Sequence, residues 1–101
     1  MSVQNYTTLG ESGLNISKII VGCMSFGSSR WMDWVIEDED KVMEILYKCY
    51  QSGLTTFDTA DMYSNGLSEK LLGKFIKKYD IPRGEIVILT KCFFPVNPED
   101  L

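Results

Sequence analysis

The chain has 101 residues, a formal net charge of -4 and no histidine, and 45% of its residues are hydrophobic. This length allows one small domain, and the apolar content predicts a packed core, which excludes a disordered chain. The scattered basic residues argue against a nucleic-acid-binding surface, and the lack of histidine excludes a histidine-containing metal site. We expect no metal centre.

The cysteines and the apolar runs indicate the compartment. Cys23, Cys49 and Cys92 are odd in number and far apart, which favours free thiols in a reducing environment. The first five residues lack the basic and apolar regions of a secretory signal. The apolar runs are too short to cross a bilayer. These features predict a cytoplasmic protein without a membrane or nucleic-acid partner.

The chain opens with two short predicted β elements. Residues 6–16, "YTTLGESGLNI", hold two apolar pieces around Gly10 and Gly13, which predicts a hairpin. Residues 19–21, Ile-Ile-Val, form a continuous β-branched run that ends at Gly22. Such a run, without alternation, predicts a strand that is covered on both faces.

An aromatic-rich loop over residues 28–37 leads into the first predicted helix. The acidic run Asp38–Asp40 is typical of a helix start, because it complements the helix dipole. Gly53 is typical of the residue that follows a helix end. The apolar residues between them recur at helical spacing and predict the buried face: Val42, Ile45, Leu46, Cys49 and Tyr50.

Two more strands and a second helix follow. Residues 54–58, "LTTFD", and 85–91, "EIVILTK", are the strand candidates. Ser68 is expected to cap the intervening helix, with Glu69 in its first turn, and residues 82–84 break it. Its predicted buried face consists of Leu71, Leu72, Phe75, Ile76 and Tyr79.

The alternation of strands and helices predicts a parallel sheet with right-handed crossovers. A doubly wound sheet and the start of an eight-stranded barrel both fit this order. The pattern alone does not separate them.

Three polar side chains follow the predicted strand ends, where ligands bind in parallel α/β folds: Asp58, Tyr63 and Lys91. A lysine ammonium beside a phenol stabilises the phenolate, so Tyr63 would be able to donate a proton to a carbonyl oxygen while Asp58 orients Lys91. Taken singly, these residues are more often a turn residue, a packing residue and a solvated charge. The spacing leaves both interpretations open.

The segment "GLTTFDTADMYSNGLSEKLLG" resembles the signature of the aldo-keto reductases. "LGESGLNISKIIVGCMSFG" resembles the opening hairpin and first barrel strand of that family, and "IVILTK" its third strand. The resemblance covers roughly residues 6–95 and is greatest to fungal aryl-alcohol-dehydrogenase-like members. The residues that match the signature are Gly53, Asp58, Thr59, Ala60, Tyr63, Glu69, Leu72 and Gly73.

The resemblance implies an α/β fold: an N-terminal hairpin plus the first three β/α units of a (β/α)8 TIM barrel that is not closed, with residues 1–101 forming one partial domain. It also implies an NADP(H)-dependent oxidoreductase that reduces aldehydes or ketones. Tyr63 would be the proton donor, Lys91 would tune it, and Asp58 would support Lys91. The family does not use the G-x-G-x-x-G fingerprint, which this sequence lacks.

The same resemblance implies the ligand contacts. Residues 22–24 (Gly22, Cys23 and Met24), together with Asp58, correspond to the loop that approaches the nicotinamide ribose. Trp31 and Trp34 lie in the loop that borders the substrate pocket in the family. An aromatic wall suits an aryl or aliphatic aldehyde, but a local cluster that only anchors the loop is equally compatible with the sequence.

The sequence also departs from the family. The family's fourth catalytic residue is a histidine, its phosphate-binding and adenine-binding loops come late in the barrel, and a complete barrel takes about 250 residues. An unclosed barrel leaves a strand edge open to pairing and buries less area. We therefore expect the isolated chain to self-associate, to bind NADPH weakly or not at all, and to be inactive. The alternatives are a non-catalytic truncated product or a regulatory interaction subunit of the same family.

Overall fold

The structure is a computed structural model that describes residues 5–100. The strands are β1 (Tyr6–Thr8), β2 (Asn15–Ser17), β3 (Val21–Gly22), β4 (Thr56–Asp58) and β5 (Val87–Leu89), and the helices are α1 (Glu39–Gln51) and α2 (Leu67–Lys78). Residues 63–66, 83–85 and 98–100 form short 3₁₀ turns. The first four residues, on which most of the signal-peptide expectation rests, lie outside the described range.

The expected hairpin is confirmed. β1 and β2 pair antiparallel, with Tyr6 opposite Ser17 and Thr8 opposite Asn15. The turn between them uses two left-handed glycines, Gly10 at φ 55° and Gly13 at φ 80°. Residues with a side chain rarely adopt such angles, so these two glycines determine the geometry of the turn.

The other three strands form a parallel sheet in the order β3-β4-β5, as expected. Gly22 is opposite Asp58, and Asp58 is opposite Leu89, so the three strands end at one level. The order follows the chain without reversal, as in successive strands of a barrel.

The core lies between this sheet and the two helices. Phe57 of β4 and Phe75 of α2 are fully buried, with ring centroids 5.7 Å apart. The Asp38 side chain caps α1 by accepting a hydrogen bond from the Lys41 amide at 3.3 Å. The predicted helix faces point into this core, and Met43, which the sequence pattern missed, joins them at 2% exposure.

Two local predictions are wrong. The first concerns residues 19–21: Ile19 and Ile20 are 64% and 41% exposed, and β3 begins only at Val21. The reason is a turn after β2, in which the Ser17 hydroxyl donates to the Ile19 carbonyl at 2.8 Å. The Ser17 amide also donates to the Thr56 hydroxyl at 2.9 Å, which joins the hairpin to β4.

The second wrong prediction concerns Ser68. Helix α2 begins at Leu67, and Gly66, with φ 102°, occupies the N-cap position. Ser68 therefore lies inside the first turn, where its side chain is 1% exposed and faces the sheet. Glu69 lies in the first turn, as expected.

Within residues 5–100, no helix combines the length and apolarity that a membrane crossing requires. The same residues contain no group of three or more cysteine, aspartate or glutamate side chains able to hold a metal ion.

Candidate active site

The carboxyl ends of β4 and β5 remain paired beyond the strands themselves. The Thr59 amide donates to the Leu89 carbonyl at 2.8 Å, and the Asp61 amide donates to the Lys91 carbonyl at 3.3 Å. This extension holds Lys91 beside the segment that starts at Asp58.

The Lys91 ammonium is the centre of the site. Its Nζ lies 3.0 and 3.2 Å from the two carboxylate oxygens of Asp58, 2.8 Å from the Thr59 carbonyl and 3.2 Å from the Tyr63 hydroxyl oxygen. An ammonium has three hydrogens, so at least one of them is shared between acceptors. The structure thus brings together the three side chains that the sequence predicted as catalytic.

The ammonium stays charged in this setting. Partial desolvation lowers the pKa of Lys91, but hydrogen bonds to Asp58 and Tyr63 outweigh it, so the net pKa lies above the ordinary value. The Lys91 and Asp58 side chains are 49% and 35% exposed, so their ion pair adds little to stability. The ion pair instead orients Lys91, because the Asp58 carboxylate and the Thr59 carbonyl hold its ammonium beside the Tyr63 hydroxyl.

Tyr63 is held by an unusual turn. Its amide donates to the Ala60 carbonyl at 3.3 Å. The next three residues are left-handed: Ser64 and Asn65 at φ 50° and Gly66 at φ 102°. Non-glycine residues seldom adopt this region, so the turn constrains where Tyr63 leaves the chain before α2 begins.

The end of β3 forms the floor of the site. The Cys23 amide donates to the Asp58 carbonyl at 2.8 Å, and the Cys23 carbonyl accepts from the Ser68 hydroxyl at 2.7 Å. The Ser68 and Thr59 hydroxyls are also hydrogen-bonded, at 2.9 Å. The sequence reading missed Ser68, because a serine near a helix start reads as a cap.

The Cys23 thiol is buried, and this limits its role. Desolvation, followed by the charge of Asp58, raises the pKa of Cys23 to about 12, so the thiol is neutral. At 1% exposure it has no access to a ligand. On either side of it, Gly22 and Met24 are exposed, and an added Cβ at Gly22 would meet no atom within 4 Å.

The two tryptophans differ in position. The half-buried Trp31 ring lies 6.1 Å from the Tyr63 ring, between centroids, and Trp34 packs edge-on against Trp31 at 6.1 Å. Trp34 is 49% exposed. Only Trp31 therefore contacts the catalytic candidates directly.

A cavity of about 180 Å³ is lined by both Tyr63 and Lys91. Phe93 and Phe94 form part of its wall and are 87% and 57% exposed. The sequence pattern did not predict Phe93 and Phe94 as site residues. Their position just after the strand-end lysine could have indicated them. The full lining is Ala60, Asp61, Met62, Tyr63, Lys91, Phe93 and Phe94.

Parallel strands in chain order, with polar residues gathered at their carboxyl ends, are typical of α/β proteins whose ligands bind at the strand ends. The aldo/keto reductase family profile matches residues 18–100. The chain belongs to the aldo/keto reductase family.

Relatives of known sequence agree with this membership. The chain is 56% identical over 100 residues to "Putative aryl-alcohol dehydrogenase C977.14c" of Schizosaccharomyces pombe, covering 98% of this chain and 28% of the relative. It is 50% identical over 94 residues to versiconal hemiacetal acetate reductase of Aspergillus parasiticus, covering 93% of this chain and 27% of the relative. The chain thus spans between a quarter and a third of the length of these relatives.

Solved structures show the same fold. Aldo-keto reductase AKR11C1 from Bacillus halodurans, in its holo form, superposes with a TM-score of 0.71 at 34% identity, over 87% of this chain and 26% of that chain. The thermostable aldo-keto reductase Tm1743, in complex with the inhibitor epalrestat, gives 0.71 at 30% identity, over 84% of this chain and 30% of that chain. The fold prediction, a hairpin plus the first three β/α units of a TIM barrel, is confirmed.

Proposed function

We propose that residues 1–101 supply the proton-donating part of an NADPH-dependent aldo-keto reductase that acts on aldehydes or ketones, of the aryl-alcohol-dehydrogenase type. The observation that carries this proposal is the position of Lys91 Nζ, within 3.2 Å of both the Asp58 carboxylate and the Tyr63 oxygen. Family membership supports it.

The geometry explains how Tyr63 would act. Because an ammonium has only donors, the Tyr63 oxygen accepts the hydrogen bond from Lys91, and its own hydrogen is left to point at another acceptor. A substrate carbonyl oxygen placed there would receive that proton as negative charge develops on it. The ammonium then stabilises the phenolate that remains, and Asp58 keeps the ammonium in place.

The residues at the sheet rim fit a nicotinamide cofactor. Gly22 leaves open space beside its Cα, and exposed Met24 offers an apolar surface next to it. Cys23 would contribute through its place in the backbone, because its thiol is buried. When NADPH is bound, it supplies a hydride to the carbonyl carbon. Gly22, Met24 and Asp58 are the residues that would hold its nicotinamide end.

The aromatic surroundings indicate the substrate class. The Trp31 ring packs near the Tyr63 ring, and Phe93 and Phe94 line the cavity that Tyr63 and Lys91 share. Large aromatic walls with few polar groups favour a carbonyl compound that carries an aromatic ring or a long apolar chain. We therefore propose aryl aldehydes as the preferred substrates, with Trp34 at the outer margin.

The test uses a complete barrel. In this grafted barrel, residues 1–101 replace the matching segment of the Aspergillus parasiticus reductase, which supplies the remaining strands. Tyr63→Phe removes only the hydroxyl and should lower kcat for an aryl aldehyde by about 10²–10⁴-fold, the usual contribution of a positioned proton donor. Tyr47→Phe is the matched control, since Tyr47 stacks on Tyr79 in the helical layer, 3.9 Å between centroids.

The two variants separate a chemical role from a structural one. A loss of turnover in Tyr63→Phe, with NADPH binding retained, supports the proposal. Equal turnover in Tyr63→Phe and Tyr47→Phe would reject Tyr63 as the donor.

We also propose a cytoplasmic location, supported by three cysteines that are all free. Fractionation of expressing cells tests it: recovery in a membrane or secreted fraction would contradict the proposal.

A further inference from the structure

A buried contact joins the turn after Tyr63 to the loop that carries Trp31. Ser64 is fully buried, and its hydroxyl oxygen accepts a hydrogen bond from the Ser28 amide at 3.0 Å. Ser64 directly follows Tyr63 in the chain, whereas Ser28 lies 36 positions earlier. This single bond therefore connects two segments that approach the phenol from different strands.

The contact is tightly packed. A Cβ added at Gly27 would collide with the side chain of Ser64. The Gly27 amide donates to the Ile36 carbonyl at 3.1 Å, and the Ile36 amide donates to the Ser25 carbonyl at 2.8 Å. The loop is thus closed at its base, and Gly27 lets this base lie directly against Ser64.

Ser28 begins the turn that presents Trp31. Its carbonyl accepts from the Trp31 amide at 3.1 Å, and its hydroxyl accepts from the Arg30 amide at 3.2 Å. The Trp31 ring then returns to the Tyr63 ring. The path from Tyr63 through Ser64, Ser28 and Trp31 back to Tyr63 forms a closed ring of contacts, which we name the Ser64 clasp.

We propose that Ser64 is a positioning residue for substrate selection, because its hydroxyl holds the Trp31 turn at a fixed distance from Tyr63. The selective part of this inference rests on the proposed function, whereas the positional part does not. Breaking one buried hydrogen bond of this kind shifts the balance between the held and the released turn by about five- to tenfold. The released turn would move the Trp31 ring away from Tyr63.

The positional part is tested on the 101-residue chain by fluorescence. Trp34→Phe serves as the background, because Trp31 is then the sole tryptophan. Ser64→Ala should shift the Trp31 emission to the red and increase its quenching by acrylamide. Ser17→Ala is the matched control: Ser17 is equally buried, and its hydroxyl accepts from the Thr56 amide at 3.1 Å in the hairpin junction. If the short chain does not fold, the same variants are measured in the grafted barrel. The emission of each matching Trp31→Phe variant is then subtracted, which leaves the signal of Trp31.

A second pair of variants tests the packing. Gly27→Ala should release Trp31 as Ser64→Ala does, because the added methyl group meets the Ser64 side chain. Combining Gly27→Ala with Ser64→Gly removes that collision. The double variant should therefore show less Trp31 quenching than Gly27→Ala alone, although the hydrogen bond is still missing.

The selective part is tested by kinetics in the grafted barrel. Ser64→Ala should raise KM for an aryl aldehyde by up to about five- to tenfold, the limit set by the shift in the held turn, and KM for a short aliphatic aldehyde much less, because the latter does not need Trp31. Its kcat should change less than its KM. A role in general stability would lower both activities equally, as expected for Ser17→Ala.

The outcomes are distinct. Unchanged Trp31 fluorescence in Ser64→Ala overturns the clasp. Changed fluorescence without a change in the aryl-to-aliphatic KM ratio overturns the selective role. Full activity in Tyr63→Phe overturns the proposed function and leaves the fluorescence result to decide the positional part.

Discussion

Because the Cys23 thiol is buried, the free energy of unfolding at alkaline pH tests whether the end of β3 is closed to water. The pKa of this thiol is 9.0 in the unfolded reference and about 12 in the folded chain, mainly because burial disfavours the thiolate. The unfolded chain thus loses this proton first as pH rises. The stabilisation from the neutral thiol is complete below about pH 9 and is lost as the pH approaches 12.

The magnitude follows from linkage. At pH 10 the unfolded thiol is mostly ionised and the folded thiol is not, so this one group lowers the free energy of unfolding by about 1.4 kcal/mol relative to pH 7. Urea unfolding at both pH values, under reducing conditions, measures the change. The comparison is with Cys23→Ala, which lacks the thiol but keeps every other titrating group.

The stability difference between wild type and Cys23→Ala should therefore shrink by about 1.4 kcal/mol between pH 7 and pH 10. Ser17→Ala, which changes a buried residue that does not titrate, should keep the pH dependence of the wild type. A difference that stays constant within about 0.3 kcal/mol would show that the Cys23 thiol reaches water, and would refute the buried floor.

The remaining predictions concern the core, the open edge and the cofactor. Phe57→Ala should lower the free energy of unfolding by about 3–5 kcal/mol in urea titrations, whereas Phe93→Ala, at 87% exposure, should change it by less than about 0.5. Val87 and Leu89 bond to the β4 side, so the Ile88 amide faces the free edge. Ile88→Pro should reduce self-association of the 101-residue chain in sedimentation more than Ile88→Ala, and equal association in both would exclude pairing through β5. Titration of the 101-residue chain with NADPH, followed by nicotinamide fluorescence, should show weak binding or none, and tight binding would contradict this.

The sequence predicted the elements that depend on local chemistry. Acid at Asp38 and glycine at Gly53 bracket α1 as expected, and the left-handed glycines Gly10 and Gly13 mark the hairpin turn. These predictions are correct because each residue meets a need of the backbone next to it, such as a capping hydrogen bond or a left-handed φ, and no distant residue is involved.

The errors came where a distant partner decides the outcome. Ile19 and Ile20 were predicted to form a buried strand. Ser17, whose amide bonds to the Thr56 hydroxyl 39 positions away, instead starts a turn that leaves both exposed. Ser68 was predicted to be a helix N-cap, but its hydroxyl donates to the Cys23 carbonyl, 45 positions away. A pattern read along one chain contains no information about such partners.

The candidate site shows the same division. Asp58 and Lys91 follow from their places at strand ends, since parallel strands bring those ends together. The Ser64 contact with Ser28 was not predictable, because it depends on the left-handed turn that follows Tyr63. Phe93 and Phe94 were missed because exposed residues after a strand carry no periodic signal.

The central claim, that Lys91 acts through Tyr63, is tested most directly by a double-mutant cycle on kcat/KM in the grafted barrel. The four proteins are the unsubstituted graft, Tyr63→Phe, Lys91→Met and the double variant. Because the ammonium works by stabilising the phenolate, removing it should cost little once the hydroxyl is gone, and the double variant should match Tyr63→Phe within about threefold. Multiplicative losses in the double variant would show that Lys91 and Tyr63 act independently, and would contradict the account.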